Sequence, residues 1–313
     1  MRVFLIGESI IDEYIFVKAL GTASKDPVLS TRKINEEKYA GGVLAVANHL
    51  ANFVDEVHMI TILGKNNSQK EFIDSHLNNK IKSNFFVKEN AETIVKTRLI
   101  EEKRLTKLFK IENSDGKVIS ASLEKEIEEY LQKNLSKYDL VMITDFGHGF
   151  LTKNLREYIV KHASYLAINV QTNSSNFGFN PLSKYISADF VSLNHQELKM
   201  YFQNDEEKKD HLLEELIKTE KYKKILLTAS NEGVIYYDGK KITNHKAFNT
   251  RPLDTIGAGD ALFSISSLYG YIGEDKVIPE LANIVGAIKI QTLGNKESIT
   301  KKKLYDFIEK RGT

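Results

Sequence analysis

A chain of 313 residues, with 44 Lys and Arg against 42 Asp and Glu and no cysteine, is long enough to bury a full core. That balance gives no general field for nucleic acid, and the missing cysteine excludes disulfide frameworks, thiolate nucleophiles and cysteine metal sites. The N-terminal apolar run is too short for a signal segment or a membrane span, so a cytoplasmic protein with no membrane and no nucleic-acid partner is expected.

Short apolar runs at 3–6, 58–63, 140–144, 166–170, 190–193 and 225–229 are each too short for a buried helix and read as interior parallel strands. Longer stretches with helical spacing, 43–53, 69–77, 123–135, 155–162 and 211–217, lie between them, which predicts a sheet covered by helices on both faces. The first strand runs into Gly7-Glu8-Ser9-Ile10-Ile11-Asp12. Asp12 thus stands where α/β proteins gather their sites, as a sugar-hydroxyl ligand or equally as a turn or cap residue.

Residues 14–17 and 28–34 look extended, and 93–100 with 105–111 reads as a hairpin turning at 101–104. Together they predict one small antiparallel sheet, a lid that closes on substrate or pairs with another subunit; the alternative is a set of edge strands on the main sheet. Gly41-Gly42 opens the first helix and permits close approach of a ligand or a neighbouring strand. Thr144-Asp145-Phe146-Gly147-His148-Gly149 is a polar loop after a strand. Asn194-His195-Gln196-Glu197 has the spacing of a capping box, and the same two side chains can order water around magnesium. The eight histidines show no paired metal spacing.

Near the C-terminus, Asp254-Thr255-Ile256-Gly257-Ala258-Gly259-Asp260 precedes an apolar helical run. Two glycines let the backbone approach an anion, the helix end favours negative charge, and Asp260 in the first turn can reach a hydroxyl beside a bound phosphate. An ordinary loop entering a helix would look similar.

That stretch, the Gly41-Gly42 helix opening and the Asn194 to Glu197 element, in this order over nearly the whole chain, resemble the ribokinase-like (PfkB) carbohydrate kinases. Gly7 to Asp12, Lys25-Asp26-Pro27-Val28, Thr93 to Arg98 and Thr144 to Gly149 extend the resemblance to the heptose-phosphate kinase domain of ADP-heptose synthesis. The resemblance implies a doubly wound, mostly parallel α/β sheet flanked by helices. It implies one domain over 1–313, with an antiparallel β lid from about 12–38 and 92–112 and a homodimer formed through it.

The implied activity is ATP-dependent transfer of the γ-phosphate to a hydroxyl of a sugar or sugar phosphate, with Mg²⁺ and K⁺ as cofactors. Asp260 would be the base, and the Gly257, Ala258 and Gly259 amides would stabilise the transferring phosphate. Asp254 and Thr255 fall where the family often places a monovalent-cation site. Asn194 and Glu197 would serve magnesium through water, Thr228 and Gly233 the nucleotide, and Asn283 and Gly294 the border of adenine. Asp12, Gly41, Gly42, Asn48 and Asp145 would face the acceptor, with Lys96 and Arg98 as candidates for its phosphate. Departures fall on the acceptor side: Ala45 replaces a usual asparagine, with Asn48 nearly one helical turn further on, and Glu8 replaces an aspartate. His148 replaces a lysine, and Asn169 and Gln171 replace an aspartate and a lysine. A nucleotide- or sugar-binding protein with little catalysis is the second expectation. An oxidoreductase is weaker, because no Gly-x-Gly-x-x-Gly follows the first strand.

Overall fold

The structure, a computed structural model, describes residues 1–23 and 25–312; residues 24 and 313, within the expected domain and lid spans, lie outside the described residues. The chain opens with β1 (Arg2–Gly7), β2 (Ser9–Thr22), β3 (Leu29–Gly42), α1 (Val43–Leu50), β4 (Glu56–Asn66), α2 (Lys70–His76) and β5 (Ile81–Glu92). It continues through β6 (Ile94–Glu101), β7 (Thr106–Asn113), α3 (Ala121–Asn134), β8 (Leu140–Asp145), α4 (Lys153–His162), β9 (Leu166–Val170) and β10 (Ala188–Asn194). The remainder is α5 (His195–Phe202), α6 (Lys209–Lys218), β11 (Tyr222–Thr228), β12 (Val234–Tyr237), β13 (Ile242–His245), α7 (Ala258–Ile272), α8 (Ile278–Lys289) and α9 (Lys301–Gly312).

A nine-stranded sheet has the order β13-β12-β11-β10-β9-β8-β1-β4-β5. The six runs predicted as interior strands are its six central strands, all parallel. β5 joins one edge in parallel, and β12 and β13 close the other as an antiparallel pair. Side-chain alternation explains why helices cover both faces: Val3 and Leu5 of β1 enter one core with α1, α7 and α8, while Phe4 and Ile6 enter the other with α3, α4 and α6. α7 is buried nearly all round, and each large side chain it buries contributes roughly 1.5–3 kcal/mol.

The second sheet has four strands in the order β3-β2-β6-β7. Its two hairpin pairs are antiparallel, and the seam between β2 and β6 is parallel. The seam follows from the path of the chain, since β2 continues from β1, β6 continues from β5, and β1 and β5 run the same way in the large sheet. One face of the small sheet carries Asp12 and Tyr14 of β2 beside Lys96 and Arg98 of β6, in register. The parallel strands of the large sheet end together, so Gly7, Asp145, Val170, Asn194 and Thr228 mark a single edge beneath that face.

Candidate active site

The loop before α7 turns at Gly257, which has a φ of 77° as the N-cap of the helix. A side chain there would be strained and would collide with Asn295, so glycine is required. The turn leaves Asp260 in the first helical turn, 6% exposed, with its carboxylate accepting a hydrogen bond from the Gln171 amide. Burial pushes the Asp260 carboxyl up to about 6, Asp12 adds to the rise, and the Gln171 bond, Lys289 and Lys96 oppose it. A carboxylate tuned towards neutrality is suited to accept a proton near physiological pH.

Asp254, at the start of the same loop, accepts from Tyr14 Oη at 2.7 Å, Lys107 Nζ at 2.6 Å, Gly294 N at 2.9 Å and Ile256 N at 3.2 Å. These bonds hold its carboxyl below the usual value despite burial. The carbonyl oxygens of Ile256 and Gly294 accept from Lys289 Nζ. An inorganic monovalent cation does not fit here, because both the carboxylate and the carbonyls already hold ammonium groups.

Across the cleft, Asp12 accepts from Arg98 at 2.6 Å and from Asn295 Nδ2 at 3.2 Å. Gly41 lacks the Cβ that would fall on the Asp12 carboxylate, and Gly42, at φ 58°, caps α1. Lys96 is buried and stands 3.8 Å from Glu112, which Lys110 pairs at 3.0 Å. Asp12, Gly42, Lys96, Arg98, Lys110, Gln171, Glu197, Thr228, Thr255, Gly257, Gly259 and Asp260 line one cleft of about 340 Å³. That volume matches small-molecule sites.

On the far side, the Asn194 to Glu197 capping box is complete: the Asn194 side chain accepts from Glu197 N, and Glu197 accepts from Asn194 N at 2.8 Å. Glu197 also accepts from Thr172 N at 3.2 Å, and burial pushes its carboxyl up to about 7. Each Glu197 oxygen keeps a lone pair for a water, so the pair fits a magnesium ion held through its hydration shell. No cluster of three or more His, Asp or Glu that could hold a metal directly is present among the described residues.

The pfkB family carbohydrate kinase pattern matches residues 1–302. The chain belongs to the pfkB family of carbohydrate kinases. Members are phosphotransferases with an alcohol acceptor, so this chain is a sugar kinase. It is 26% identical over 315 residues to the bifunctional protein HldE of Aliarcobacter butzleri, covering 98% of this chain and 64% of that protein. With HldE of Sulfurimonas denitrificans it is 26% identical over 309 residues, covering 94% and 61%. The chain thus spans less than two thirds of the length of these relatives. Phosphofructokinase-2 from Escherichia coli in complex with potassium has the same fold, with a TM-score of 0.78, 13% identity and coverage of 100% and 99%. Ribokinase of Arabidopsis thaliana complexed with ribose and ATP superposes with a TM-score of 0.73 at 14% identity, covering 98% of each chain.

Several residues named from sequence stand outside the pfkB kinase cleft. Asn48 is the first revision. Its amide donates to His76 O and accepts from Asn78 N, both at 2.9 Å, so it anchors the end of α2 and does not line the cleft. Asp145 is the second: it is buried, accepting from Tyr185 Oη at 2.6 Å and Gly147 N at 3.0 Å and pairing with Lys184 at 2.6 Å. Ala258 does not line the cleft, and its amide donates to Thr255 O at 3.3 Å. Gly233, at φ 102°, is a turn packed against the backbone at 245–247, and Asn283 donates to the carbonyls of His245 and Lys246. Gly294 lies against the rings of Tyr14 and Tyr39, beside Asp254.

Sequence reasoning missed the function of three side chains. Glu8 was legible only as a departure; its carboxylate accepts from Phe146 N at 3.0 Å and His148 N at 3.1 Å, shaping the loop beyond β8. Gln171 was legible only as a lost charge, and it orients Asp260 while donating to Asn169 at 2.8 Å. Lys289 carried a signal that went unused, a lone lysine ending an apolar helix.

Proposed function

We propose that this kinase transfers the γ-phosphate of ATP to a hydroxyl of a sugar that already carries a phosphate, of the heptose-phosphate class. The observation that carries the reading is the cationic group Lys96, Arg98 and Lys110 lining the same cleft as Asp12 and Asp260. Such a group suits a dianionic handle on the acceptor, while Asp12 suits its hydroxyls. The heptose-kinase motifs in the sequence and the likeness to proteins named bifunctional protein HldE support the same class.

In this reading Asp260 accepts the proton of the acceptor hydroxyl as its oxygen forms a bond to the γ-phosphorus, and the bond from that phosphorus to the bridging oxygen breaks to release ADP. Gln171 fixes the carboxylate so that the oxygen it leaves open faces the hydroxyl. The Gly257 to Gly259 turn at the positive end of α7 stabilises charge on the transferring group. Asn194 and Glu197 would hold magnesium through water, and the ion, when bound, neutralises charge on the nucleotide phosphates. Positioning and electrostatics then supply most of the acceleration.

The small sheet would act as the lid, its inner face supplying Asp12, Lys96 and Arg98. Its exposed apolar residues, Phe109 at 52% and Ile111 at 54% among them, support pairing with a second copy of the chain. A binding protein without turnover has one observation in its favour, the Gln171 amide on Asp260. An ADP-release screen over free and phosphorylated hexoses and heptoses, with product position read by NMR, tests the proposal. Turnover confined to phosphorylated acceptors is expected, and turnover only of unphosphorylated sugars would refute it.

A further inference from the structure

The last charged residue of α8 stands where a helix end favours a cation, but it is buried. From Ile278 to Ile288 the helix is mostly apolar and packs into the core beside α7, yet it ends in Lys289, which is 1% exposed. Burying an ammonium is costly unless it is paired and hydrogen-bonded. Lys289 is hydrogen-bonded at the back of the loop that forms the anion hole, and the Asp260, Asp254 and Asp12 carboxylates act on its charge from beyond ion-pair distance. Nζ donates to Ile256 O at 3.2 Å and to Gly294 O, and its stem passes so close to Gly257 that a Cβ there would stand 3.2 Å from Lys289 Cε. Gly294 N in turn donates to Asp254 at 2.9 Å.

Backbone carbonyl oxygens converging on a compact single charge are the surroundings that proteins offer a potassium ion. Here the charge is covalently part of the chain. Asp254, whose carboxylate would otherwise balance an added ion, is already engaged by Lys107 and Tyr14. Burial pulls the Lys289 ammonium down from its ordinary value, and the Asp260, Asp254 and Asp12 carboxylates oppose that pull.

We infer that Lys289 is a built-in monovalent cation: its ammonium group braces the Ile256 to Gly259 turn where the sequence resemblance placed a bound ion, so that this kinase needs no potassium. Lys289 is a positioning residue, acting on the transferring phosphate through the turn it holds. The inference rests on the kinase reading of the site, but not on which sugar is the acceptor.

The test compares wild type, Lys289→Met and Lys289→Ala in chloride salts of potassium, ammonium and tetramethylammonium at one ionic strength. Wild-type kcat is expected to stay constant within about twofold across the salts, surface screening being equal. Lys289→Met fills the space without a charge and is expected to lose about 10²-fold in kcat in every salt, the size of losing one anion-hole contribution. Lys289→Ala opens the space and is expected to lose as much in tetramethylammonium and to recover in potassium or ammonium. A lysine that merely stapled two carbonyls would give no such rescue. As a readout apart from turnover, potassium should raise the melting temperature of Lys289→Ala and leave that of wild type unchanged relative to tetramethylammonium.

Many-fold activation of wild type by potassium would overturn the inference, as would near-normal kcat in Lys289→Met or a folded Lys289→Ala inert in every salt. If the variants do not fold, constancy of wild type across the salts decides for the inference and activation by potassium against it. Absence of turnover with any acceptor would count against the kinase reading, and the melting comparison would still decide the cation question.

Discussion

Replacing Asp260 by asparagine should make the protein more stable at neutral pH while removing its base. The carboxyl is carried from 3.8 to about 6, chiefly by burial. At 1.36 kcal/mol per tenfold, that difference amounts to roughly 3 kcal/mol of native stability lost on ionisation. The native value lies above the unfolded one, so the folded state holds the extra proton between the two. The contribution is therefore fully present below pH 3.8, fades as pH rises through about 6, and stays lost above that. An asparagine, which still accepts from Gln171 through its oxygen, has no such decline. Urea unfolding of both proteins at pH 4, 5, 6 and 8 gives the difference; the buried Glu8, pushed up to about 7, cancels in it, whereas Glu197 is raised in part by the Asp260 charge, so its relief in the variant adds to the gain at pH 8. We expect the stability of Asp260→Asn relative to wild type to rise by roughly 3 kcal/mol from pH 4 to pH 8, with the absolute gain at pH 8 reduced to about 1 kcal/mol if imperfect pairing of the new amide costs about 2 kcal/mol at both pH values. A difference of the same size at pH 4 and pH 8 would refute the assignment of a destabilised carboxylate to this position.

Three further predictions follow from the placement of individual side chains. Lys96→Met keeps the length of the side chain and removes its charge, so the KM for a phosphorylated acceptor should rise about 10–100-fold, as expected for one charge-assisted contact, with the KM for ATP unchanged; equal effects on both substrates would argue against a phosphate contact. Asn48→Ala removes two hydrogen bonds at the end of α2 and should cost about 1–2 kcal/mol in unfolding experiments while leaving kcat/KM intact; lost activity in a stable variant would return Asn48 to the site. Phe109→Lys on the outer face of the small sheet should convert a sedimenting dimer to a monomer, whereas an unchanged sedimentation coefficient would place any dimer contact elsewhere.

The main sheet was readable because its six central strands are buried on both faces, giving continuous apolar runs. β5, β12 and β13 lie towards the edges, where exposed positions break that signal, and none was predicted. The Asp254 to Asp260 turn announced itself through its glycines and the helix behind it, since the chemistry there depends on backbone. The acceptor side depends on where single side chains end, which spacing alone does not give. Asn48 lies three residues beyond Ala45, about 4.5 Å further along α1, and that distance carries its amide from the cleft to the end of α2. Asp145 ends a strand at the correct sheet edge, but Tyr185 and Lys184, distant in sequence, claim its oxygens. Lys289 is a single letter in an apolar helix, and only folding brings the carbonyls of residues 256 and 294 to it.

The central claim, that a carboxylate at the N-terminus of α7 takes the proton in a phosphoryl transfer, is tested most directly by single-turnover formation of ADP by Asp260→Asn against wild type, at saturating ATP and the best acceptor from the screen. A fall of at least about 10³-fold, with the affinity for a non-hydrolysable ATP analogue within a few-fold of wild type, is the predicted result. A rate within about tenfold of wild type would contradict it.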